Sequence, residues 1–209
     1  LDLEIAFAEP SDIMALMEAM YIEIGATVGE GLQLPAPFPV LTYNDAMERY
    51  GSDKPDLRYG LEIADLSSVV ANSEFQVFRN VITGGDRVRG IAAPGAAGAS
   101  RRVTDRLTEI AKEAGAQGLV TFALQGEGAL ETLTIDDVRS PVARFFDAET
   151  VIELARRCGA SRGDMLLVVA ADDATTSSAL DALRRTVADD NGLTDDNLLK
   201  FAWVTDFPM

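Results

Sequence analysis

The chain has 209 residues, 47% of them hydrophobic, which is enough to bury a substantial core in one large or two small domains. Its longest apolar stretches, such as Met165–Ala171, are strand-length, whereas a membrane-spanning helix needs roughly 20 residues. The lack of histidine argues against Ser–His and Cys–His hydrolases and against most zinc sites. A formal net charge of −16 opposes nucleic-acid binding by the chain as a whole, because binding to phosphates depends on Lys and Arg.

The N-terminus and the single cysteine indicate a cytoplasmic protein. The chain starts with Leu1-Asp2-Leu3-Glu4, which has neither the basic region nor the apolar core of a targeting peptide, and this start looks cut rather than natural. Cys158 ends an amphipathic pattern and has no second cysteine to pair with, so we interpret it as a buried thiol and not as a nucleophile. We therefore expect a cytoplasmic chain without membrane segments.

Residues 1 to 60 show a strand, two helices and a Pro- and Gly-rich loop. Residues 1–8 alternate apolar and polar positions, which predicts a half-buried strand with Asp2 and Glu4 on one face. Helical periodicity follows Pro10 and ends at Gly25. After the loop 28–39 and a short strand at 38–41, the string Thr42-Tyr43-Asn44-Asp45 is a plausible N-cap for a helix that Gly51 ends.

From Leu61 onward the pattern changes to short strands and helices. Strands are predicted at 61–64, 75–82, 87–92, 119–124, 130–135, 165–170 and 201–207. Helices are predicted just after residue 65 and at 101–114, 140–146, 148–157 and 176–188. Glycine-containing turns at 84–86 and 125–128 suggest two hairpins, 75–82 with 87–92 and 119–124 with 130–135. Two hairpins each followed by a helix predict a two-layer α+β domain, with an antiparallel sheet and helices on one face.

Three groups of charged residues are candidates for function, and the residues alone leave each of them open. The loop Arg49–Arg58 (RYGSDKPDLR) suits a salt-bridged connector and a ligand-contacting loop equally well. Asp2 and Glu4 suit an acid pair, a metal site or part of an ion-pair network. The arginines between Arg79 and Arg106 suit a basic face for RNA, but a solvated mixed-charge surface is the more ordinary interpretation.

Four ordered strings resemble bacterial-type aspartyl-tRNA synthetases, which are class II enzymes. They are LDLE at 1–4, RYGSDKPDLR at 49–58, SPVARF at 140–145 and WVTDFPM at 203–209. The resemblance implies that 1–60 and 195–209 are catalytic-domain remnants and that 61–194 is a GAD-type insertion domain nested between them. It also implies that segments 1–8 and 201–209 pair as neighbouring strands of the catalytic sheet.

The same resemblance implies the function and the site. The family activates L-aspartate with ATP and Mg²⁺ and transfers it to tRNA, and the parent enzyme is expected to be a homodimer. Asp2 is expected to hold the amino group of aspartate, with Glu4 in support, and Ser52, Asp53 and Lys54 are expected to border the aspartate site or the tRNA end. The arginines expected to contact tRNA are Arg87, Arg89, Arg101 and Arg102.

The strings that resemble the family omit its main catalytic groups. The phosphate-gripping arginines of the second and third signature motifs and the family's histidines are missing from this sequence. We therefore expect no catalytic residue, metal site or bound cofactor in this chain, no adenylation by the chain alone, and a structural or tRNA-positioning role for the insertion. The alternative is a non-catalytic α+β module that binds a small ligand or a protein.

Overall fold

The structure is a computed structural model that describes residues 3–208, and it contains a five-stranded sheet with helices and a smaller two-stranded sheet. The helices are α1 (Pro10–Val28), α2 (Tyr43–Tyr50), α3 (Ser67–Val70), α4 (Gln76–Thr83), α5 (Arg101–Glu113), α6 (Ala148–Arg157) and α7 (Asp173–Asp190). The strands are β1 (Val40–Thr42), β2 (Ala64–Asp65), β3 (Arg87–Ala93), β4 (Val120–Leu124), β5 (Val138–Arg139), β6 (Met165–Ala171) and β7 (Trp203–Thr205). Short 3₁₀ helices lie at 96–98, 130–132, 135–137 and 143–145.

The large sheet has the strand order β2-β3-β6-β4-β5, and every neighbouring pair is antiparallel. Strands β3 and β6 form its centre and pair along seven residues, from Arg87 opposite Ala171 to Ala93 opposite Met165. Both strands are almost entirely buried, as expected for central strands that are covered on both faces. The antiparallel α+β class predicted from the sequence is therefore confirmed.

Helices cover both faces of this sheet, so it lies between two helical layers and not beneath one. On one face, Val88 and Leu166 pack with Phe78 of α4 and Leu154 of α6. On the other face, α5 and α7 pack on a second buried cluster. The expected single helical layer is wrong because alternate residues of β3 and β6 are apolar on both sides, which requires a cover on both sides.

A segment that was predicted to be a strand forms a helix instead. Residues 76–83 form α4, and the segment 84–86 joins this helix to β3, so the hairpin predicted from 75–82 and 87–92 is wrong. Helical spacing brings Phe75, Phe78 and Ile82 together on one core-facing side, whereas period-two spacing would separate Phe75 from the other two.

The second predicted hairpin, 119–124 with 130–135, does not form. Strand β4 pairs instead with a segment later in the chain. Residues 130–135 are not a strand, and β4 pairs with β5 at 138–139. The 3₁₀ helices at 130–132 and 135–137 occupy the intervening chain, where Thr134 and Asp137 cap each other reciprocally. This cap turns the chain, and the partner strand begins at Val138, three residues after the end of the predicted strand.

The first and last segments contact each other, although not in the predicted way. Residues 3–8 form no strand, and β7 pairs in parallel with β1, with Val40 opposite Trp203. Phe201 stacks between Tyr21 of α1 and Phe38, with both centroid distances 5.2 Å. The predicted pairing of 1–8 with 201–209 is therefore wrong for the described residues, because no neighbouring strand lies beside 3–8 to complete its hydrogen bonds.

Candidate functional site

The loop that follows α2 is the best-defined candidate site, and its start is fixed by the end of that helix. Thr42 caps α2 by accepting a hydrogen bond from the Asp45 amide (3.0 Å), as predicted. Gly51 ends the helix with φ = 74°, a left-handed conformation that favours glycine. A Cβ at this position would lie 2.4 Å from the backbone oxygen of Ser177 in α7. The loop therefore begins in direct contact with α7.

A buried arginine from α7 joins both ends of this loop. Arg184 has no exposed surface and donates to four backbone carbonyls: Nη1 to Tyr50 (3.3 Å), Nη2 to Asp56 and Gly60 (3.3 and 3.1 Å), and Nε to Leu61 (2.7 Å). Its guanidinium lies 4.9 Å from the ring centroid of Tyr50 and 5.3 Å from that of Tyr59. These contacts offset the cost of burying the cation, and burial nevertheless lowers the pKa of Arg184.

The charges of the loop fall into paired and unpaired groups. Arg58 makes a two-pronged salt bridge to Asp56, with Nη2 2.7 Å from Oδ2, and Arg49 pairs with Glu62 at 2.6 Å. These bonds lower the pKa of the Asp56 and Glu62 carboxyl groups. Within residues 3–208, no salt bridge includes Asp53 or Lys54. The loop thus leaves one carboxylate and one ammonium group available for a ligand.

The predicted aspartate-site residues lie in different settings. Ser52 and Asp53 are partly exposed, Lys54 is exposed, and the Ser52 hydroxyl accepts a hydrogen bond from the Lys54 amide at 3.1 Å. Glu4 is exposed in a segment without secondary structure. Asp2 lies outside the described residues.

Arg87 and Arg89 have structural partners that the sequence analysis did not foresee. Arg89 is 1% exposed and donates to Ser177 (2.9 Å) and to the last carbonyls of α2, including that of Met47 (3.2 Å). Arg87 grips the Glu48 carboxylate with two hydrogen bonds of 2.6 and 2.8 Å and also pairs with Asp65. Burial lowers the pKa of Arg89, and the bond to Arg87 lowers the pKa of Glu48.

Arg89, one of the predicted tRNA contacts, therefore has almost no side-chain surface open to a phosphate. Arg87 is partly exposed, but three carboxylates surround its guanidinium. Both arginines instead attach the start of β3 to α2. The missed signal was a charged residue within an apolar strand, which indicates a buried cation with specific partners.

Arg101 and Arg102 lie at the opposite end of β3 from Arg87, at the start of α5, and both are exposed. A cleft of 820 Å³ next to them runs between α5 and the end of α7 and is lined by Arg102 and Arg106, the latter paired with Asp190. A second cleft of 520 Å³ on the other flank includes Arg101 and Arg139. The four predicted arginines therefore form two separate groups rather than one basic face.

Other features of the described residues do not add a reactive group. Cys158 is buried, and desolvation raises its pKa to about 12, which opposes formation of a nucleophilic thiolate. Residues 3–208 contain no group of three or more His, Cys, Asp and Glu side chains arranged to hold a metal ion. No helix in this range combines the length and apolar character that crossing a lipid bilayer requires.

Comparisons with known proteins show what this chain is similar to. The sequence model of the GAD domain family matches residues 78–180, which include β3, β4, β5 and β6. The chain is 44% identical over 209 residues to the aspartate–tRNA(Asp/Asn) ligase of Rubrobacter xylanophilus and 42% identical over 210 residues to the aspartate–tRNA ligase of Geobacillus kaustophilus. Both alignments cover 100% of this chain.

Along its full length, the chain is similar to one part of bacterial aspartate–tRNA ligases. It contains a GAD domain, and it spans about a third of the length of these relatives, 33% and 34% respectively. The aspartate–tRNA(Asp/Asn) ligase of Moorella thermoacetica gives the same result, with 42% identity and 33% coverage of that protein. In this chain, the loop at 51–60 is held by Arg184, which follows the residues that match the GAD domain model.

Proposed function

We propose that this chain is the part of an aspartate–tRNA ligase in which the GAD-type insertion joins the catalytic domain. The observation that carries the proposal is 44% identity along the full chain to such a ligase. The complete enzyme activates L-aspartate with ATP and Mg²⁺, transfers it to tRNA, and acts as a homodimer in the cytoplasm. The chain itself contributes part of the aspartate pocket and an insertion domain with a structural or tRNA-positioning role.

The proposed division of the chain is 1–60 and 195–209 for the catalytic segments and 61–194 for the insertion. The pairing of β1 with β7 and the stack of Phe38, Phe201 and Tyr21 support it, because they bring the first and last segments together. The residues matched by the GAD model, 78–180, fall inside the proposed insertion. Side chains from the insertion, among them Arg89 and Arg184, then attach it to the catalytic segments.

The proposed aspartate site includes Asp2, Glu4, Ser52, Asp53 and Lys54. Asp2 holds the α-ammonium group of aspartate through a charge-assisted hydrogen bond, and Glu4 supports it. The unpaired charges of Asp53 and Lys54 support a role for the loop, because an amino acid presents both an ammonium and carboxylates. The proposed tRNA contacts are Arg101 and Arg102, which are exposed.

Aspartate-dependent pyrophosphate exchange tests this function. We expect activity from the full-length protein that contains this segment and none from the 209-residue chain, because positioned phosphate-binding groups lower the barrier to adenylation. In the full-length protein, Asp2→Asn should raise the aspartate KM by about 10- to 100-fold, the usual loss for a hydrogen bond between charged groups.

Asp86→Asn provides the matched control, since Asp86 is an exposed acid in the turn before β3. It should leave the aspartate KM unchanged. Exchange activity from the 209-residue chain alone would contradict the proposed division of labour. An unchanged KM in the Asp2 variant would remove Asp2 from the aspartate site.

A further inference from the structure

Arg184 is placed to control the shape of the loop at 51–60. Its guanidinium binds the Tyr50 carbonyl before the loop and the Asp56, Gly60 and Leu61 carbonyls in its second half and just beyond it. A single planar group with donors in fixed directions therefore sets the distance between the two ends of the loop. The Ser52–Lys54 segment lies between these fixed points.

The support for Arg184 comes from the core of the large sheet. On the same helix, Leu180 and Leu183 have no exposed surface and pack in the cluster shared with β3 and β6. Ser177, two turns before Arg184, contacts both Gly51 and Arg89. Helix α7 thus presents two points of attachment to α2 and its loop, and both are fixed by a packed core.

We infer that Arg184 is a positioning residue for the aspartate site: it holds Ser52, Asp53 and Lys54 in the conformation that binds L-aspartate. This inference rests on the proposed role of the loop in aspartate binding. It gives helix α7, which packs on the sheet of the GAD region, a direct effect on amino-acid affinity. The effect passes through the four hydrogen bonds that the Arg184 guanidinium donates to backbone carbonyls, and it requires no contact between Arg184 and the substrate.

The inference predicts a specific kinetic pattern. A loop that samples other conformations reduces the fraction of enzyme competent to bind aspartate, and the apparent affinity falls by that fraction. Because the reacting groups are unchanged, the aspartate KM should rise while kcat and the ATP KM stay close to their original values. A merely structural defect would lower the amount of active enzyme and leave the aspartate KM unchanged.

The test uses Arg184→Lys and Arg184→Met in the full-length synthetase that contains this segment. Lysine keeps the charge but has no planar fork, so it can satisfy fewer of the four carbonyls, and methionine satisfies none. We expect the aspartate KM to rise by about tenfold or more with methionine and by less with lysine, since small misplacements of binding groups have effects of this size. Hydrogen exchange should be faster at the loop amides 52–61 in both variants.

Arg185→Met is the matched control. Arg185 is the next residue of α7, and its side chain is 64% exposed, pairs with the buried carboxylate of Asp181 and makes no hydrogen bond to residues 51–60 within the described part of the chain. It should change neither the aspartate KM nor the loop exchange. Lys54→Met in the same enzyme measures the proposed role of the loop separately from its support.

Three results separate the possible failures. Unchanged loop exchange in both Arg184 variants would overturn the inference and leave the proposed function intact. Faster exchange with an unchanged aspartate KM would also overturn it, and a raised KM in the Lys54 variant would then still support the loop site. If Arg184→Met fails to fold, Arg184→Lys carries the test with the same measurements and the same outcomes.

Discussion

Gly51 is the residue where helix α2, the candidate loop and helix α7 meet. Its positive φ of 74° and the 2.4 Å approach of a Cβ to the Ser177 carbonyl exclude any other residue without a local shift. Gly51→Ala should therefore lower the free energy of unfolding of the 209-residue chain by about 2 kcal/mol or more, from left-handed strain plus a backbone clash. Denaturant unfolding followed by circular dichroism measures this loss.

Gly192→Ala is the control for the strain alone. Gly192 has φ = 59°, and nothing lies within 4 Å of a Cβ built there. Its substitution should cost about 1 kcal/mol, the usual penalty of the left-handed conformation. Equal losses at the two positions would show that the contact with Ser177 does not contribute.

The residue scale also shows where sequence reasoning stops. The cap at Thr42 and the helix end at Gly51 depend on neighbours in the chain, and both were predicted correctly. The partners of Arg184 lie more than 120 residues away, so no local pattern names them. Its position among Leu180, Leu183 and Val187 on one face of α7 was the available signal, because a cation on an apolar face needs buried acceptors.

The limits of helices and strands were likewise predicted correctly where they depend on neighbouring residues and missed where they depend on distant contacts. Helix α6 was predicted at its observed limits, and α5 to within one residue, because amphipathic spacing and terminal residues agree along both segments. Helix α4 was missed because eight residues rich in Val, Phe and Ile favour a strand by composition. The helix is favoured because it lets Phe75, Phe78 and Ile82 pack together on the core.

The helical assignment of α4 predicts a contrast between adjacent residues. Phe78 has no exposed surface and meets Phe75 and Phe146 edge-on, at centroid distances of 4.9 and 6.0 Å. Phe78→Ala should therefore lower the free energy of unfolding by about 3–5 kcal/mol, as large-to-small changes in cores do. Val77 is 50% exposed, and Val77→Ala should change the free energy of unfolding by less than about 0.5 kcal/mol.

Thermal and denaturant unfolding of both variants measure this contrast. Similar losses at the two positions would contradict the helix, because they would require Val77 to be buried as well. Val77 is the better matched control than a distant residue, since it lies in the same turn of the same element and is also apolar.

At the scale of the whole molecule, a net charge of −16 and a proposed contact with tRNA must be reconciled. Like-charge repulsion weakens association with RNA unless basic residues are concentrated locally. Arg101 and Arg102 provide such a concentration at the start of α5, where positive charge opposes the helix dipole and so does not stabilise the helix. Arg101 is 93% exposed in its side chain, with Asp105 3.7 Å away.

Replacing both arginines separates a role in tRNA binding from a role in stability. In the full-length synthetase, Arg101→Ala with Arg102→Ala should raise the tRNA KM by about three- to tenfold and leave the aspartate KM unchanged, because exposed phosphate contacts contribute modestly. The melting temperature should stay equal or rise slightly, since two charges that oppose the dipole are removed. The rise in KM should shrink as salt is added, since salt screens phosphate contacts. Arg156→Ala, an exposed arginine on α6, should leave the tRNA KM unchanged, and an unchanged tRNA KM in the double variant would remove the proposed contact.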